Sequence, residues 1–214
     1  MNRINSLKLR PQDEYSEQAF RVGVNEGLFE TLFSPQDTWL YGASGLGKTH
    51  LAHILVDRID NSLLVDENSY RLDGIERFEL VVLDSIETWL GSKEEEKRIF
   101  ELYERLQRLG NRLVITARKN VIEYEFRFID LRSRLATFQP YQLQPLRDHE
   151  KLLLVKKLAR TRGFDLSDEV LQFIFKYVGR SQTMLVHLLD TFENESITHD
   201  RRITIPFVKK VLDL

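Results

Sequence analysis

Eight consecutive residues, Gly42-Ala43-Ser44-Gly45-Leu46-Gly47-Lys48-Thr49, have the spacing G-x-x-x-x-G-K-[ST] of a phosphate-binding loop. Glycines at these offsets let backbone N–H groups turn inward around an anion. A helix opening at Lys48 adds positive potential from its N-terminus. In such a loop Lys48 reaches the β- and γ-phosphates, and the Thr49 hydroxyl ligates Mg2+. The chemistry also needs an acid at the end of a neighbouring buried strand, and Asp84 follows Leu80-Val81-Val82-Leu83. Hydrolases of this layout usually place a second acid directly after the first, to orient water. Ser85 stands there instead, and Glu87 lies two residues on. The residues thus favour binding of ADP or ATP with Mg2+ over its hydrolysis.

A loop of this kind works only between a strand and a helix, and the surrounding pattern predicts both. Thr38–Gly42 reads as a strand, and Leu51, Ile54, Leu55 and Ile59 recur at helical spacing. Ser62–Val65, Phe78–Asp84 and Arg112–Ala117 are short apolar runs, as in strands buried on both faces of a parallel sheet. Thr137–Leu143 reads as a last strand. Val22 to Phe33 predicts a helix, and so does the stripe Ile99, Leu102, Tyr103, Leu106 and Leu109, stopped by Gly110-Asn111. Lys93–Arg98 reads as a solvated helix start whose acids suit the dipole.

Beyond Pro145 only helical periods remain. They include a helix N-capped by Ser167 and another opening at Pro206. The expected organisation is a polar tail over 1–19, an α/β nucleotide-binding domain over 20–145, and an all-helical subdomain over 146–214.

Composition narrows the classes. A net charge of −2, with 30% charged and 42% hydrophobic residues, describes an ordinary folded protein without global attraction to nucleic acid. The absence of cysteine excludes disulfides, thiol nucleophiles and zinc–thiolate sites. No apolar run reaches the roughly 18 residues of a membrane span. The N-terminus lacks a signal-peptide core, so a cytoplasmic protein is expected. His50 and His53 are three apart on the loop's helix, but no third metal ligand accompanies them.

Taken with the loop, further words make the chain resemble the AAA+ module of the DnaA family, and most closely its short Hda-type members. These are Gly47-Lys48-Thr49-His50-Leu51, the strand ending at Asp84, Leu131–Leu135 ("LRSRL"), Gly23-Val24-Asn25, Leu143–Leu146, Arg162–Phe164, Ser196–Thr198 and Ile203–Val208. The resemblance covers residue 13 to the end. It implies a three-layer parallel-sheet domain followed by a small helical lid. It adds His50, Val22 and Asn25 to the nucleotide site and makes Arg134 an arginine finger acting in trans on a partner's nucleotide, with Arg132 as the alternate. Thr116 falls at the first sensor, where many relatives carry an acid two positions later and this chain has Arg118. The second sensor aligns with Thr183, with Arg180 one turn earlier as a substitute.

The implied function is regulation of bacterial replication initiation, by promoting hydrolysis of ATP bound to DnaA. DnaA is the implied partner, with self-association also open. The sliding clamp is a further candidate through residues 4–9, where Leu7 and Leu9 survive from the clamp-binding pattern but its glutamine and proline do not. The segment Asn61–Phe78 has no room for a single-strand-binding insertion. No helix-turn-helix follows the lid, so sequence-specific DNA binding is not expected. Two other readings stay open: a self-contained ATPase of helicase-loader type using Glu87, and a nucleotide-locked adaptor.

Overall fold

The computed structural model describes residues 15, 17, 20–66, 72–195 and 203–213. The clamp-type segment 4–9 and Ser196–Thr198 lie outside them. Five parallel strands, β1 (Thr38–Tyr41), β2 (Ser62–Val65), β3 (Leu80–Leu83), β4 (Arg112–Ala117) and β5 (Gln139–Gln142), form one sheet in the order β2-β3-β4-β1-β5. Alternation along the strands fills both faces. Trp39, Val81, Leu83, Leu113 and Ile115 belong to one core cluster, and Leu40, Leu80, Val82 and Val114 to the other. The first face is covered by α3 (Lys93–Leu109) and α4 (Ile129–Leu135), the second by α1 (Leu28–Leu32) and α2 (Lys48–Arg58). Pro140, which cannot donate to a ladder, is placed on edge strand β5.

The helical region comprises α5 (Asp148–Thr161), α6 (Asp168–Tyr177), α7 (Gln182–Glu195) and α8 (Ile205–Val211). It has its own core, with Val155, Leu171, Ile174, Leu189, Phe192 and Val208 at its centre. The Ser167 hydroxyl accepts from Val170 N–H at 3.3 Å, and Pro206 stands in the first turn of α8. Among the described residues no helix is long and apolar enough to cross a membrane.

Two local expectations are corrected. The helix expected over Val22–Phe33 shrinks to Leu28–Leu32, because Gly23 and Gly27 both take left-handed backbone angles, φ +55° and +70°. At Gly23 a Cβ would overlap Leu146, so the segment owes its path to close approach of the chain beyond β5. The Lys93–Arg98 start is not wholly solvated either. Glu96 is 0% exposed. One of its carboxylate oxygens accepts the Gly91 N–H at 3.0 Å, and the other accepts those of Arg127 and Phe128, each at 2.7 Å. A buried carboxylate with three backbone donors staples α3 to the entry of α4, the helix that carries Arg134.

Removing that staple strands three amides. Glu96→Ala is expected to lower the unfolding free energy by roughly 3 kcal/mol in denaturant titration, and Glu96→Gln by less.

Candidate nucleotide site

The carboxyl ends of β1, β4 and β3 lie side by side, and each delivers one part of the site. The phosphate loop follows β1, and its glycines Gly45 and Gly47 have φ of +78° and +96°. Gly42 runs against the chain after β5, where a Cβ would come within 2.6 Å of the Leu143 carbonyl oxygen. Lys48 is 9% exposed, and its ammonium donates to the carbonyls of Gly42 and Ala43 at 2.7 and 2.9 Å. Burial holds the Lys48 pKa below the usual lysine range, while the negative charges of Glu87 and Asp84 oppose that shift.

Register explains the next contact. Leu40 on β1 pairs with Thr116 on β4, and Leu83 on β3 with Ile115. Thr116 therefore stands between the loop and Asp84. Its hydroxyl donates to Asp84 Oδ1 at 2.5 Å and accepts the Ser85 N–H at 2.8 Å. The other oxygen of Asp84 accepts from the Thr49 hydroxyl at 2.8 Å. A hydroxyl and a carboxylate converging beside a lysine form a hard-oxygen donor set that suits Mg2+ carried in with a nucleotide. Thr116 supports Asp84 from below instead of lining the cleft.

Above the loop lies a continuous cleft in two adjoining parts, about 180 and 290 Å3. The smaller is walled by Phe20, Arg21, Leu46, Leu146 and Leu154, the larger by Ser44, Lys48, Thr49, Ser85, Arg118 and Thr183. Both parts share Gly47, His50 and Gln182. A compartment with an apolar wall at Phe20, Leu46, Leu146 and Leu154, beside a phosphate cradle, has the proportions for a purine base and its phosphates. The lid closes the larger part. Thr183, on the first turn of α7, sits so close to Gly45 that a Cβ on that glycine would overlap its hydroxyl oxygen. His50 packs edge-on to the Tyr15 and Phe20 rings, both centroids at 5.5 Å, and Tyr15 also stacks on His53 at 4.2 Å. Among the described residues no cluster of acids and histidines could hold a metal ion.

The remaining sequence candidates are placed as follows. Asn25 lines the smaller part, but its amide group is committed to the backbone. It donates to the carbonyls of Val22 and Gln144 and accepts the Gln144 N–H at 2.7 Å. It thus ties the chain before β1 to the chain entering the lid, and Val22 supplies a carbonyl to that tie. Arg180 is not brought to the phosphate loop. It ion-pairs with Asp148 at 2.6 Å, with its side chain 69% exposed. Glu87 accepts from the Tyr124 hydroxyl and the Arg118 N–H. Arg134 lies on α4, lines neither part of the cleft, and pairs with Glu104 at 3.2 Å while its side chain stays 53% exposed. Sequence reasoning missed Phe20, Arg21, Gln182 and Tyr124, since isolated residues on three separate segments share no spacing rule.

Contact between loop and lid is open to direct test. Gly45→Ala adds both strain at positive φ and overlap with Thr183, and should cost about 1–3 kcal/mol in unfolding free energy. Part of that loss should return in the Thr183→Ala background, as a double-mutant cycle would measure.

Known proteins bear on this geometry. Residues 148–212 match the family described as "Hda, lid domain". Domain III of the Thermotoga maritima replication initiation protein DnaA matches with a TM-score of 0.80 at 17% identity, over 95% of this chain and 97% of that one. AMPPCP-bound DnaA from Aquifex aeolicus matches at 0.70 and 15% identity, over 89% of this chain. A single-residue variant of RuvB from Thermotoga maritima matches at 0.68 and 20%, also over 89%. This chain spans 67% of each of the latter two. The helical region thus matches an Hda-type lid, and the chain as a whole, a five-stranded parallel sheet followed by that lid, has the fold of domain III of DnaA.

Proposed function

We propose that this protein holds ADP or ATP with Mg2+ in its own cleft and acts on DnaA, accelerating hydrolysis of the ATP that DnaA carries. In this reading Lys48 and the N–H groups of the loop grip the phosphates. Thr49 and Asp84 face the metal, and the apolar wall at Phe20, Leu46 and Leu146 takes the base. The solved DnaA with AMPPCP bound supports nucleotide binding by a fold of this kind.

The observation that carries the regulatory part is the place of Arg134. It stands on a helix outside its own cleft, half-exposed, on an element anchored by the buried Glu96. A guanidinium outside its own cleft supports the reading that it serves a neighbour's nucleotide, where a fixed cation stabilises charge developing on the transferred phosphate. Ile129 opens the same helix and Ile122 lies in the turn packed against it, 61% and 68% exposed, and both offer apolar area for docking. Arg132, on the same helix, is the alternate finger. The self-contained ATPase reading would need Glu87 to orient water. That carboxylate instead holds Tyr124 and the backbone at Arg118.

The test adds purified protein to ATP-loaded DnaA, with and without clamp on DNA. Hydrolysis should accelerate, and Arg134→Ala should lose about a thousandfold of that acceleration while still binding ADP. Lys48→Ala should abolish nucleotide binding in calorimetry. Turnover by the protein alone that disappears in Glu87→Ala would instead establish the self-contained ATPase.

A further inference from the structure

The phosphate end of the cleft holds a cation that the loop motif does not account for. Arg118, next after β4, lines the larger part of the cleft with Lys48, Thr49 and Ser85, and does not line the part walled by Phe20 and Leu146. A nucleotide with its base against that apolar wall and its phosphates at Lys48 runs toward Ser85 and Arg118. Its last phosphate is the one nearest them.

Three further observations concern this guanidinium. The other candidate cations are engaged, Arg180 with Asp148 and Arg134 with Glu104, whereas Arg118 forms no ion pair among the described residues. Lys48 and Arg118 line the same part of the cleft. Two cations that repel across one cavity are relieved by an anion between them. Finally, the backbone beneath Arg118 is fixed. Glu87 accepts the Arg118 N–H and the Tyr124 hydroxyl, and that hydroxyl in turn accepts the N–H groups of Arg118 and Lys119, each at 3.1 Å.

We propose that Arg118 binds the terminal phosphate of a nucleoside triphosphate in this chain's own cleft, with Tyr124 as its positioning residue. The assignment rests on the nucleotide-binding reading above and makes the site discriminate ATP from ADP. A planar guanidinium can meet two phosphate oxygens at once, which an ammonium cannot.

Calorimetric titration of the whole protein with Mg2+–AMPPCP and Mg2+–ADP tests it. Arg118→Ala should weaken AMPPCP binding about tenfold or more and ADP binding by less than about threefold. Arg118→Lys should fall between. Tyr124→Phe should lower the AMPPCP-to-ADP affinity ratio in the same direction with ADP affinity kept, which a merely structural role would not do. If Arg118→Ala and Arg118→Lys leave the ratio unchanged, the assignment is overturned and nucleotide binding stands. A wild-type protein that binds neither nucleotide overturns both.

Discussion

The carboxylate of Asp84 is the point on which the site is built. It is almost wholly buried, and an unpaired charge there would cost several kcal/mol. Both oxygens are answered, one by Thr49 from the helix after β1 and the other by Thr116 on β4. Those partners come from different strands, so the pairing holds only if three strand ends stop at the same level. The parallel register provides that, and buried apolar side chains on both faces of β3 and β4 leave no room for a one-residue slip.

The same rule, that a buried polar group must be answered, positions parts far from the loop. Glu96 fixes the entry to α4 through three backbone amides, and Asn25 fixes the entry to the lid through Gln144. Arg162 links the end of α5 to α7 through Asp190 at 2.6 Å. Each is a charged or amide group holding backbone or helix at a joint between elements. The proposed roles of Arg134 and of the lid depend on those joints keeping their angles.

Electrostatics divide the cleft from Arg134. Lys48 and Arg118 face one cavity. Arg134 is separate and balanced on the surface by Glu104. One pair of cations therefore faces the cleft, and one cation is presented outward.

Local pattern was enough for the five strands, the phosphate loop, Asp84, the Ser167 cap and the lid helices, because periodicity, glycine spacing and capping act within a few residues of chain. It failed where long-range contact decides. Glu96 sits in the unbroken charged run Lys93–Arg98, whose composition suits solvent, and only packing of α4 against α3 buries it. The expected helix from Val22 stops short because Gly23 meets Leu146, more than a hundred residues away. Arg118 and Arg180 are alike as letters, each a basic residue near an altered sensor. Tertiary structure separated them: parallel register carries Arg118 to the rim beside Lys48, and the fold of the lid turns Arg180 toward Asp148. A sequence specifies which side chains can do chemistry, but convergence on one cavity is a property of strand order and helix packing, which no local spacing records.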